Sequence, residues 1–210
     1  MKIKICGITK IEDALLAIEL GAWALGFIFY PKSPRYIEPE KAKEIIEKIP
    51  KNIKTVGVFV NENLEKVEEI GKTTNISTYQ LHGEENNDYC EKLSKEVIKA
   101  FRFKTKEELE IIEEYKNNKN IIAFLVDAFS KEAYGGTGHR ADWDIAKEVK
   151  NYGNLILAGG INEKNINSAI LSVNPYAIDL SSSIESEYGI KDHKKTKDFF
   201  EELKNDKNRN

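Results

Sequence analysis

A cysteine, an aspartate, a pair of glycines and a run of three serines each follow an apolar stretch of this chain. The segment Lys2-Ile3-Lys4-Ile5-Cys6-Gly7-Ile8-Thr9 alternates at period two and carries a thiol, Cys6, to the end of a strand, just before a helical pattern opens at Lys10. In a parallel α/β architecture that end of a strand is where chemistry is done, so Cys6 is placed as a reactive group. A small buried hydrophobe is the competing reading. Asp127 closes the run Ile121-Ile122-Ala123-Phe124-Leu125-Val126, desolvated on one side and open to a pocket on the other, which suits a general acid. The alternative is an aspartate that caps the following loop through its backbone amides. Gly159-Gly160 and Ser181-Ser182-Ser183 follow two successive strands and suit a phosphate, because small residues let backbone amides approach an anion. A tight strand-to-helix turn would also explain the glycines.

Other polar residues at strand ends are few: Arg35 after the second strand, Gln80 and His82 at the fourth, and Asp179 at the eighth. Side chains alternate along a strand, so if Cys6 faces inward Lys4 does too. A buried lysine needs a partner, and the expected one is Asp179 on the strand that closes the sheet against the first. The Lys4 charge is also expected to favour the Cys6 thiolate.

The elements that must position these groups alternate without a break. Strands are expected at 2–9, 23–30, 54–60, 76–82, 97–103, 121–128, 155–158 and 176–181. Helices are expected at 10–20, 38–49, 63–73, 87–95, 106–117, 143–151, 163–173 and 193–205. Eight such units at a spacing of roughly 25 residues predict a closed parallel (β/α)8 barrel, an α/β fold of one domain. An open doubly wound sheet is the alternative, but no strand-to-helix junction carries G-x-G-x-x-G. The barrel is expected over residues 1–206, with 207–210 a polar tail.

Composition narrows the partners. Lys and Arg total 32 against 35 acidic residues, a net charge of -3, interspersed along 210 residues. No basic stripe serves a nucleic acid, and no basic amphipathic segment serves a membrane surface. No apolar run approaches the ~18 residues of a membrane span, and no signal-peptide pattern opens the chain. Two cysteines make neither a disulfide framework nor a metal-ligand spacing. A cytoplasmic protein, monomer or homodimer, acting on a small molecule and holding no metal is the expectation.

The blocks Lys4-Ile5-Cys6-Gly7-Ile8-Thr9, Gly26 to Tyr36, Val56 to Asn61, Gln80-Leu81-His82-Gly83, Gly135-Gly136-Thr137-Gly138 with Asp142-Trp143, Leu157 to Gly160, and Asp179 to Ser182 with Lys191-Asp192 together resemble the phosphoribosylanthranilate isomerases of tryptophan biosynthesis. The resemblance implies an Amadori rearrangement of a phosphosugar without a cofactor, with Asp127 as general acid and Cys6 as general base. It implies that Arg35 holds the anthranilate carboxylate, while Gly159, Gly160, Ser181, Ser182 and Ser183 hold the phosphate. Asp179 and His82 join the substrate-binding set, although His82 also reads as a histidine hydrogen-bonded in the rim. Two residues depart from the family pattern: Ser183 stands where glycine is usual, and Ala141 where phenylalanine is usual. Cys90 and Trp23 read as packing residues. Another phosphosugar barrel isomerase, or a barrel that binds a phospholigand without catalysis, is the rival reading.

Overall fold

The short apolar strands close on one another in sequence order. In a computed structural model that describes residues 1–127 and 142–207, β1 (Lys2–Cys6), β2 (Ala24–Ile28), β3 (Lys54–Phe59), β4 (Thr78–Leu81), β5 (Glu96–Phe101), β6 (Ile121–Val126), β7 (Leu155–Leu157) and β8 (Ala177–Leu180) form a closed barrel. All neighbours run parallel, and β8 pairs with β1 in a register that sets Lys4 beside Asp179. The eight-stranded barrel expected from the spacing is therefore the fold.

The strands are almost wholly buried because each has two faces to cover, one toward the helices and one toward the lumen. Outward residues such as Ile3, Leu25, Phe27, Tyr79 and Phe124 join helix side chains in the larger core. Inward residues, among them Ala24, Val56, Ile98, Leu125, Ile156 and Ala177, fill the lower lumen as a second, smaller cluster. That plug leaves the carboxyl ends of the strands as the place for a pocket.

The helices are α1 (Ile11–Leu20), α2 (Pro39–Ile46), α3 (Leu64–Thr74), α4 (Asn87–Glu91), α5 (Trp143–Val149), α6 (Ile166–Val173) and α7 (His193–Lys207). Three differ from expectation. The crossover after β5 is not an α-helix but a 3₁₀ helix, Glu107–Glu114. Its buried side chains, Leu109, Ile112 and then Tyr115, recur every third residue, the period of a 3₁₀ turn. Helix α4 stops early because Ser94 is drawn to Glu68, which accepts from its amide at 2.7 Å and its hydroxyl at 2.6 Å. Helix α6 starts late because Asn162 and Asn165 cap backbone amides with their side chains in the preceding turn.

One element was absent from the sequence reading. A 3₁₀ turn, Ser182–Ile184, leads into a hairpin of β9 (Glu185–Glu187) and β10 (Ile190–Lys191) before α7. The Gly135–Gly138 motif and Ala141 lie outside the described residues, as do 208–210.

Candidate active site

Ten side chains or backbone segments singled out by the sequence converge on one cleft at the carboxyl ends of the strands, with a volume of about 730 Å³. They are Cys6, Arg35, His82, Asp127, Gly159, Gly160, Asp179, Ser181, Ser182 and Ser183.

Cys6 ends β1 facing the lumen, and the expected pair lies beneath it. Lys4 Nζ donates to Asp179 Oδ1 at 2.9 Å, with the lysine fully buried. The same ammonium reaches the Cys6 sulfur. This packing requires a glycine on the neighbouring strand, since a Cβ at Gly26 would lie 2.8 Å from Cys6 Sγ and 3.1 Å from Lys4 Nζ. Burial opposes the Lys4 charge, yet Asp179 and Cys6 outweigh it and hold the ammonium above its usual pKa. The thiolate expectation needs correction. Burial pushes the Cys6 thiol up, and Asp179 adds to the rise; Lys4 pulls it down, as anticipated, without reversing the shift.

Asp127 follows β6, buried and lumen-facing, and His82 follows β4 with Nε2 3.5 Å from Asp127 Oδ2. His82 Nδ1 meets Gln80 Nε2 at 3.0 Å. Gly159 and Gly160 follow β7 with φ of 79° and 65°, in the left-handed region that side chains rarely adopt. Ser181 ends β8, while Ser182 and Ser183 lie in the 3₁₀ turn; the Ser183 hydroxyl is buried in the cleft wall with no hydrogen-bond partner.

Arg35 is held by a residue that the sequence reading missed. Its Nε and a terminal nitrogen donate to the Glu185 carboxylate at 2.9 and 2.7 Å, a buried bidentate pair. Lys191 Nζ donates to the same carboxylate at 2.8 Å and to the carbonyl of Cys6 at 2.6 Å. Burial alone would raise the Glu185 carboxyl, but Arg35 and Lys191 outweigh it and hold it below the ordinary range. Burial draws the Lys191 pKa down, against the pull of Glu185. The available signal was Tyr188-Gly189, a two-residue turn ending in glycine between short segments that could pair as a hairpin. The hairpin thus ties the loop after β2 to the end of β1, and Thr9 fastens it further through a hydroxyl donated to the Gly189 carbonyl.

The comparisons with known proteins agree with one another. Residues 3–202 match the family model described as N-(5'phosphoribosyl)anthranilate (PRA) isomerase. The chain is 46% identical over 203 residues to the N-(5'-phosphoribosyl)anthranilate isomerase of Geotalea uraniireducens, covering 97% of this chain and 98% of the relative. It superposes with a TM-score of 0.86 on monomers generated from the dimeric phosphoribosylanthranilate isomerase of Thermotoga maritima, at 37% identity over 98% of this chain and 99% of that one. A phosphoribosylanthranilate isomerase solved with reduced 1-(o-carboxyphenylamino)-1-deoxyribulose 5-phosphate gives a TM-score of 0.83 at 38% identity, with coverage of 98% and 99%. With a full-length family match on a barrel whose cleft gathers the expected groups, the chain belongs to the N-(5'-phosphoribosyl)anthranilate isomerase family.

Proposed function

We infer that this chain converts N-(5'-phosphoribosyl)anthranilate to 1-(2-carboxyphenylamino)-1-deoxyribulose 5-phosphate, with Asp127 as general acid and Cys6 as general base. One arrangement supports these roles. A carboxyl group after β6 and a thiol on β1 face one cleft from strands three places apart around the ring, with the glycine pair on the intervening β7 and the serines after β8. A sugar phosphate seated on Gly159, Gly160 and Ser181 to Ser183 would present its ring between the two.

The chemistry balances without a cofactor. Asp127 gives its proton to the furanose ring oxygen as the bond from that oxygen to carbon 1 breaks. The amine lone pair forms the C=N bond, leaving a protonated Schiff base and a carboxylate. Cys6, as thiolate, then removes the proton from carbon 2, and the electrons of that C–H bond flow toward the iminium nitrogen to give an enolamine, which becomes the aminoketose as its enol hydroxyl loses a proton and carbon 1 gains one. Each proton transfer contributes about 10²–10⁴-fold. Lys4 matters because it offsets part of the burial that keeps Cys6 a thiol. Arg35, oriented by Glu185, holds the anthranilate carboxylate, and His82 and Asp179 face the substrate.

In this reading residues 1–206 act as one barrel domain in the cytoplasm, on a free phosphosugar and on neither nucleic acid nor membrane. The protein works as a monomer or as a homodimer; the Thermotoga maritima relative is dimeric.

Anthranilate fluorescence tests the roles. With phosphoribosylanthranilate generated in situ, the wild-type protein quenches the signal, and Cys6→Ala and Asp127→Asn each lower kcat by about 10² or more with KM within about threefold. Ligand binding without turnover by the folded wild type would identify a barrel that only binds its phospholigand.

A further inference from the structure

Gln80 and His82 stand two residues apart on the lumen side of β4 and its end, at 1% and 7% exposure. Neither is part of the acid and base pair. Gln80 Nε2 lies 3.0 Å from His82 Nδ1, and the other ring nitrogen, Nε2, lies 3.5 Å from Asp127 Oδ2. That last distance exceeds an N–H···O hydrogen bond, and His82 Nε2 is buried with no hydrogen-bond partner. In this orientation the Gln80 NH₂ donates and the ring nitrogen it meets accepts through a lone pair, while Gln80 Oε1 is left buried without a partner among the described residues. A neutral imidazole has one such nitrogen, and its proton is then on the other.

We propose that Gln80 is a positioning residue that fixes His82 as the Nε2–H tautomer, so that His82 donates a hydrogen bond to Asp127 as ring opening makes it a carboxylate. The proposal rests on Asp127 being the general acid. In the resting structure the two atoms stand 3.5 Å apart, beyond an N–H···O hydrogen bond, so the contact is one the reaction would have to tighten. As the proton leaves, negative charge grows on the oxygen that faces the N–H. A donor aimed at charge that appears only during the reaction lowers the barrier without tightening ground-state binding. The reversed tautomer would set a nitrogen lone pair against the new carboxylate and oppose the same step.

The test combines spectroscopy and kinetics on the intact protein. The chain holds three histidines, so ¹⁵N-histidine labelling with long-range ¹H–¹⁵N spectra resolves their tautomers, and the signals lost in His82→Gln assign His82. The wild type is expected to carry the His82 proton on Nε2. Gln80→Met is expected to move the Nδ1 signal and to lower kcat several-fold, about threefold to tenfold, with KM within about twofold. Glutamine sets an N–H where Nε2 was and asparagine does not, so His82→Asn should lower kcat at least about tenfold more than His82→Gln. A wild-type proton on Nδ1, an unmoved Nδ1 signal in Gln80→Met, or equal kcat for the two His82 variants would overturn the proposal. Full turnover by Asp127→Asn with the Nε2–H tautomer intact would reject the general acid itself, a failure distinct from the others.

Discussion

Two lysines of the barrel strands are buried, Lys4 on β1 and Lys99 on β5, at 0% and 1% exposure and each 2.9 Å from a carboxylate. They are the same residue at the same burial on opposite faces of one sheet, and they do different things. Lys99 points outward, where its ammonium donates to Glu85 and at 2.8 Å to the carbonyl of Gly83. Glu85 in turn accepts from the amides of Asn61 at 2.7 Å and Gly83 at 3.0 Å. Most of these partners are backbone groups whose charge never changes, so the pair pins the loops after β3 and β4. Lys4 points inward, and its partners are Asp179 and the thiol that we propose as the general base, a group whose charge would change during turnover. Strand parity alone decides which lysine faces the loops and which faces the proposed base.

The largest expected effect is therefore on stability, and at Lys99. Replacing it with methionine strands Glu85 as a buried, uncompensated charge, a loss of about 3–5 kcal/mol. At about 2–4 °C per kcal/mol for a chain of this size, the melting temperature should fall by roughly 6–20 °C. Turnover per folded molecule should stay within about twofold. Lys99→Met with Glu85→Leu should recover much of the loss, because both charges then leave together. Calorimetry alongside the fluorescence assay checks this. A Lys99→Met protein that melts normally but turns over poorly would erase the distinction.

Lys4→Met is the converse experiment. Lys4 lowers the Cys6 thiol pKa against the burial that raises it, so its removal must move the thiol further up. The thiolate fraction at neutral pH falls tenfold for each pKa unit, and kcat should fall by at least about that factor. The pH midpoint of iodoacetamide alkylation, measured on a Cys90→Ala background, should rise in step. An unmoved midpoint would make Lys4 a second pin. The thermal effect should be smaller than at Lys99, because Asp179 faces an open cleft where water or a proton can answer it.

Much of the contrast was legible in the sequence. Alternation at Lys4 and Cys6 fixed their common face, and the closure of β8 on β1 supplied Asp179 as the partner; both follow from a period of two and from eight regular units. Lys99 has no such signal. Its strand, Val97 to Phe103, is apolar on both sides, and its partner lies in the loop after the preceding strand, so only three-dimensional packing reveals the pair. Glu185 escaped for a related reason. Three residues of strand and a two-residue turn are too short for a periodic pattern, and pairing with Arg35 spans 150 positions of chain. The 3₁₀ helix after β5 is not distinguishable by pattern, because Leu109, Ile112 and Tyr115 also satisfy half of an α-helical stripe.

The Arg35–Glu185–Lys191 cluster lies between the two lysines in character, and its pH response should be the smallest of these effects. Glu185 is held below the ordinary carboxyl range by Arg35 and Lys191. A carboxylate whose folded pKa is depressed adds stability above its unfolded value and loses it as pH falls through the folded value. Chemical denaturation of wild type and Glu185→Gln at pH values from neutral to acid should therefore show a stability difference that shrinks below the ordinary carboxyl range. If the cluster behaves as a pin, that is the whole effect, and the anthranilate KM follows stability alone. If it also orients Arg35 for the substrate, Glu185→Asp, which keeps the charge but shortens the reach, raises KM at neutral pH with kcat little changed. The two outcomes separate a charge that only holds the fold from one that holds a substrate-binding group.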